Sequence, residues 1–195
     1  MKVNPIRDNR RFANKGVGIT PPANSMSSNR RQESAAFSNG AKARVVYELV
    51  PASKVGVIKP LWEVLNRHHW KVSPDFRRFY ETFTFEARKK MLLTGGKKLR
   101  IEIARDRQTK KPAAYCASSI KKSVGEVDSL LVLPGYRGLD IGKTLMKNAL
   151  KWFRARKVST TRVVVVSGND KALSFYSQFG FLVRSRTMEL KPEKK

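Results

Sequence analysis

Residues Leu130–Met146 (LLVLPGYRGLDIGKTLM) constrain the fold more than any other stretch of the chain. An apolar run ends at Pro134-Gly135, and a glycine-containing turn then leads straight into apolar residues at helical spacing: Ile141, Leu145, Ala149 and Leu150. A strand that feeds a helix through so short a turn leaves unpaired backbone N–H groups at the helix N-terminus. Those donors, with the positive end of the helix dipole, make an anion site around Arg137, Gly138, Leu139, Asp140, Ile141 and Gly142. Gly138 and Gly142 let a ligand approach the backbone without a Cβ in the way, and Lys143 adds a point charge. The glycine order is not that of a dinucleotide site. A P-loop is excluded too, because Arg137 stands where that pattern needs a glycine five residues before Gly142.

The segments around this unit alternate in character. Arg44–Val50 reads as a strand stopped by Pro51, and Pro60 opens a helix carrying Leu61, Trp62, Val64 and Leu65. One helix is expected over Asp75–Leu93, with Phe76, Phe79, Tyr80, Phe83 and Ala87 at three- and four-residue spacing and Gly95-Gly96 as its stop. Strands follow at Leu99–Ala104, Ala113–Ile120 and Glu126–Leu133. After the amphipathic helix come a strand at Val163–Val166, a short helix at Lys171–Phe179, and a last strand pair within Phe181–Leu190. That order predicts an α+β (α/β layered) domain over residues 42–195, a mixed and mostly antiparallel sheet flanked by helices. Residues 1–41, rich in Gly, Ser, Asn and Arg and poor in large apolar side chains, read as a flexible basic arm.

Charge narrows the partners. The chain has 41 Lys and Arg against 15 Asp and Glu. The first 42 residues hold eight and two of these, which leaves thirty-three against thirteen in the body. A cationic field of this size favours anionic cofactors and polyanions, so nucleic acid or a ribonucleoprotein is a candidate partner. No apolar run reaches the ~18–20 residues of a membrane helix, and no membrane association is expected. Cys116 is the lone cysteine, and His68 and His69 are the only histidines, too few for a Cys/His metal site. The cysteine count predicts a reducing, cytoplasmic location. The Arg- and Ser-rich arm keeps organelle targeting open, although Asp8, Glu33 and Pro21-Pro22 weigh against it.

Two motifs carry a resemblance. Residues 126–143 (EVDSLLVLPGYRGLDIGK) resemble the fourth strand and pyrophosphate loop of GNAT N-acetyltransferases, whose loop reads Arg/Gln-x-x-Gly-x-Gly/Ala. Gly168–Phe181 (GNDKALSFYSQFGF) is similar to the family's second signature, with Asn169, Ala172, Phe175, Tyr176, Gly180 and Phe181 in its places. The likeness is close over 126–181 and looser over 43–190. It departs at Asp140, where the family has glycine; Asp tolerates a left-handed backbone, but its charge repels a diphosphate unless it turns to solvent or caps the helix.

The resemblance implies the GNAT acyl-CoA N-acyltransferase fold and transfer of an acetyl group from acetyl-CoA to a primary amine. It implies that main-chain groups of Leu130, Leu131 and Val132 hold the acetyl and pantetheine arms, that Arg137–Lys143 hold the diphosphate, and that Asn169 bonds the pantetheine chain. Tyr176 becomes the acid that meets the leaving sulfur, and Glu126 the first choice of base, with Asp128 second. Strand alternation would put Glu126, Asp128, Leu130 and Val132 on one face. His68 and His69 lie on the loop side of the first helical region, either lining the acceptor site or on the surface. Lys143, Lys147, Lys151 and Arg154 form a stripe that is either solvated or part of an anion footprint. The competing reading is a non-catalytic GNAT-fold protein bound to RNA or a ribonucleoprotein.

Overall fold

The computed structural model describes residues 44–190. The arm expected over residues 1–41 lies outside the described residues.

Five strands form one sheet in the order β1 (Val45–Val50), β2 (Lys98–Asp106), β3 (Pro112–Lys121), β4 (Val124–Val132) and β5 (Thr160–Val163). The first three pairings are antiparallel, and β4 pairs β5 in parallel. Helices cover both faces. On one face lie α1 (Lys59–Val72), α2 (Arg77–Thr82) and α3 (Phe85–Leu93); on the other lie α4 (Ile141–Ala155) and α5 (Asp170–Ser177). The mixed, mostly antiparallel sheet between helices is the architecture expected from the element order.

Alternation along β3 divides the core between the faces. Ala114, Cys116 and Ile120 pack under Leu145, Met146, Ala149 and Phe153 of α4, while Tyr115 and Ala117 pack under Leu61, Trp62 and Leu65 of α1. Full burial of a large side chain among them, such as Leu145, Met146 or Phe153, stabilises by about 1.5–3 kcal/mol. A polar tie fixes α4 as well: Asn148 donates to Glu102 on β2 at 2.7 Å, and Arg100 holds the other oxygen of that carboxylate at 2.9 Å.

Three expectations are corrected. The single helix over Asp75–Leu93 is broken at Phe83 and Thr84. Phe83 is extended and sets its ring against Trp62 and Phe79, while the Thr84 hydroxyl accepts from the Ala87 N–H and caps α3. The strand expected at Val163–Val166 ends at Val163, its last residue paired with β4. No strand forms over 181–190 among the described residues, and Leu182, Val183, Met188 and Leu190 are exposed there.

Candidate active site

The site begins at a register shift. Ala117 faces Ser129 and Ser118 faces Val127, so Asp128 is an extra residue in β4, a β-bulge. Val127 is also the last β4 residue paired with β5. A bulge bends its strand and increases the local twist. Here β4 and the chain after Val163 separate at that point, and a cleft opens between them. Its walls are Val127–Leu130 of β4, Val163–Val166, Asn169, Ala172 and Tyr176 around α5, and Leu65 and His69 of α1. The enclosed part is narrow, about 70 Å³.

The bulge also reverses the alternation expected for β4. Leu130 and Val132 pack toward α4, but Glu126 pairs with Ser119 and lies on the α1/α3 face. The four residues Glu126, Asp128, Leu130 and Val132 therefore do not share a face. Glu126 is held instead by Arg162, its neighbour in the parallel register, at 2.7 and 2.8 Å, and is not part of the cleft lining.

Asp128 does line the cleft. Its side chain is only 3% exposed; Lys97 stands 3.6 Å from Oδ1, and Oδ2 has no hydrogen-bond partner. Burial raises its pKa, while Ser119, Lys97 and Arg88 oppose the shift and Glu126 adds to it. The Arg88 guanidinium donates to the Asp128 carbonyl, and the Tyr115 and Ser129 hydroxyls are buried against each other. An unpaired buried carboxylate oxygen in a cleft wall is costly, and it marks a place made for a polar ligand.

Beyond the bulge β4 runs on to Val132 with no strand beside it on the β5 side among the described residues. The Leu133 N–H bonds the Ala113 carbonyl on β3. In an antiparallel pair the bonding direction alternates, so Leu131 also points to β3, whereas the N–H and C=O groups of Leu130 and Val132 point into the gap. The open edge can therefore pair with an extended, amide-bearing ligand through Leu130 and Val132. Leu131 turns its side chain into the α1/α3 core.

The gap leads to the turn before α4. Gly138 takes φ +78°, which a side chain would strain. Asp140 takes φ 55°, ψ 13°, the left-handed conformation for which glycine is usual. Its carboxylate does not cap α4 but pairs with Lys143 at 2.9 Å. Among the described residues, the backbone N–H groups of Gly138, Leu139, Asp140, Ile141, Gly142 and Lys143 make no hydrogen bond. Six successive free donors at a helix N-terminus form a cradle for a polyanionic group. Arg137 is exposed beside it, its Nε on the Val132 carbonyl at 3.2 Å.

Across the cleft, Asn169 caps α5 by accepting from the Ala172 N–H at 3.3 Å, which leaves its Nδ2 group free of hydrogen bonds among the described residues. Tyr176 is 8% exposed and packed edge-on against Phe175 and Phe181. Burial pushes its hydroxyl above the usual phenol range, so it keeps its proton at any working pH.

His68 and His69 lie within α1 rather than in a loop. His69 reaches the cleft, with its pKa held down to about 4 by burial and by His68 and Arg88, so the ring is neutral at pH 7. Cys116 is buried under α4, its thiol pushed up to about 12 by burial, and serves as packing. No cluster of three metal-ligating side chains occurs among the described residues. The larger concavity of the molecule, about 490 Å³ between α1 and the start of α3, opens on the other side of α1, away from the free donors and the bulge.

An open strand edge that runs into free amides at a helix N-terminus, on a sheet that splays at its parallel pair, defines an acyl-CoA N-acyltransferase fold. Residues 62–181 match the acetyltransferase (GNAT) family, and the chain belongs to it. Acetyl-CoA is the acetyl donor of this family. Among curated relatives, a glucosamine 6-phosphate N-acetyltransferase of Trypanosoma brucei brucei is 30% identical over 69 residues, 35% of this chain and 45% of that protein. The chain thus spans under half the length of that relative. Among solved structures, a mutant of the BH1408 protein from Bacillus halodurans superposes with a TM-score of 0.59 at 18% identity, over 74% of this chain and 98% of the other. AAC(6')-Iy in complex with a coenzyme A bisubstrate analogue superposes at 0.51 and 15% identity, over 77% and 99%.

Proposed function

We propose that this chain transfers the acetyl group of acetyl-CoA to a primary amine, with Asp128 as base and Tyr176 as acid. The six free amides from Gly138 to Lys143, at the end of an open strand edge, carry this reading. They receive the diphosphate, with Arg137 and Lys143 as the cations that flank them in sequence. The Leu130 and Val132 main chain pairs with the amides of the pantetheine arm, Asn169 Nδ2 donates to the same arm, and the gap-facing Leu130 N–H polarises the thioester carbonyl.

Bound acetyl-CoA supplies an activated acyl carbon and a thiolate leaving group. Asp128 accepts a proton from the acceptor ammonium through the unpaired Oδ2, and its raised pKa makes it a better base than an exposed carboxylate. As the neutral amine bonds the acyl carbon and the C–S bond breaks, Tyr176 donates the phenolic proton to the departing sulfur and regains one from the nitrogen of the new amide. Glu126, the first choice from sequence, is tied to Arg162 and takes no part.

The non-catalytic reading rests on Asp140 and on the basic surface; the first support is weakened, because that carboxylate is turned onto Lys143, and the second bears on partners rather than on catalysis. The acceptor is inferred to be an amine carried on an anionic molecule. The +26 chain attracts such molecules, and the trypanosomal relative is named for a phosphorylated amino sugar.

Thiol release from acetyl-CoA, followed with a panel of phosphorylated and unphosphorylated amines, tests the proposal. Turnover is expected with at least one amine, and Tyr176→Phe should lower kcat by about 10- to 100-fold while changing acetyl-CoA affinity less than threefold. Tight cofactor binding without turnover on any amine, unaffected by Tyr176→Phe, would favour the non-catalytic reading.

A further inference from the structure

The outer face of α4 and the turn beyond it carry one sign of charge. From Ile141 to Val163 the sequence holds seven Lys or Arg and no Asp or Glu. Two of these cations are neutralised, Lys143 by Asp140 and Arg162 by Glu126. The remaining five, Lys147, Lys151, Arg154, Arg156 and Lys157, are exposed, and among the described residues none has a carboxylate within ion-pair distance. The Ser159 N–H bonds the Ser123 carbonyl, which sets the end of this run beside exposed Lys121 and Lys122 of the β3–β4 turn.

Geometry makes this a track. Ile141, Leu145, Met146, Ala149 and Phe153 are buried on the sheet, so the opposite stripe faces water on a helix that cannot rotate. Lys147, Lys151 and Arg154 stand on that stripe over about 10 Å of helix at 1.5 Å per residue, and the loop cations lengthen it. Like charges held this close repel; the helix C-terminus favours Arg154 and the loop cations, but among the described residues no carboxylate offsets Lys147 and Lys151. A membrane surface fits poorly: an interfacial helix sinks an apolar face into lipid, and α4 has its apolar face on the sheet. The exposed large apolar side chains belong to other elements.

We propose that the α4 face, continued by the β3–β4 turn, binds the phosphodiester backbone of nucleic acid. One strand of a duplex presents a phosphate about every 3.4 Å, so the helical part of the track alone spans about three, and the loop and turn cations reach further ones. Since α4 covers the sheet face opposite α1 and α3, this surface docks the protein on a polyanion without filling the cleft, and it does not rest on acetyl transfer.

Fluorescence anisotropy of the full chain with a labelled 20-nucleotide single-stranded RNA and a duplex DNA, across a sodium chloride series, is the test. The log affinity is expected to fall with log salt at a slope of about −3 to −5. The triple variant Lys147→Gln, Lys151→Gln, Arg154→Gln should weaken binding at least tenfold and reduce the slope by about two to three units. A control triple on the other sheet face, Lys54→Gln, Lys71→Gln, Arg78→Gln, removes equal charge and should weaken binding less than threefold. Binding of either nucleic acid with this dependence supports the proposal, and their ratio says which is preferred. Equal losses in the two triples, a flat salt response, or stripe-dependent binding confined to polyglutamate or phosphatidylserine vesicles would overturn it.

Discussion

Replacing Asp128 with Asn should cut kcat/KM by about 100- to 1,000-fold, whereas Glu126→Gln should stay within threefold of the wild type. Asn keeps the shape of the bulge residue and removes only the capacity to accept a proton. The Asp128 side chain is buried at the cleft with one oxygen unpaired, while Glu126 is spent on Arg162. The pH profile separates a base from a structural part. Burial raises the Asp128 pKa, so the carboxylate is protonated and inactive below that value and active above it. The acid limb of wild-type kcat/KM should therefore lie above the ordinary aspartate range and vanish in the Asn variant. A fully active Asp128→Asn beside a dead Glu126→Gln would return the role to Glu126.

Gly168→Ala should be the most damaging added methyl among the described glycines. A Cβ at Gly168 would sit 2.1 Å from the Val72 carbonyl oxygen, which is backbone and cannot swing aside, and the residue takes φ +83°. Both the overlap and the left-handed backbone penalise any side chain. The expected loss is about 3 kcal/mol or more, roughly 10 °C in melting temperature for a domain of this size. Because this contact seats the loop before α5 on the end of α1, Asn169 should shift too, and acetyl-CoA affinity should fall at temperatures where the variant is still folded. A melting temperature within 2 °C of wild type would mean that the loop does not pack on α1 as described.

What the sequence made legible was local. The strand, turn and helix from Leu130 to Ala155 follow from apolar spacing and glycine placement within one stretch, and the free amides come with them. Asn169 and Tyr176 both line the cleft for the same reason: one signature motif fixes their spacing, the first as the cap of α5 and the second within it. The bulge at Asp128 was not legible, because it is defined by which residues of β3 stand opposite, and pairing across strands leaves no mark in β4 itself. That bulge put Glu126 on the face opposite Leu130 and left it outside the cleft lining. Val164–Val166 looked like strand because apolar runs do, but strand also needs a partner, and β4 has bent away. The break in the second helical region was within reach, since Thr84 before Phe85-Glu86 is an ordinary capping residue hidden by the aromatic periodicity around it. His69 was misplaced because nothing between Leu65 and Pro74 showed how far α1 continues.

The account depends on the main chain between Gly138 and Lys143 gripping the diphosphate of coenzyme A. Calorimetric titration of the same protein with acetyl-CoA and with S-acetylpantetheine, which keeps the thioester arm and lacks the diphosphate, addresses this directly. Acetyl-CoA is expected to bind at least 100-fold more tightly. Equal affinity for the two ligands would contradict the assignment of that turn as the cofactor's anchor.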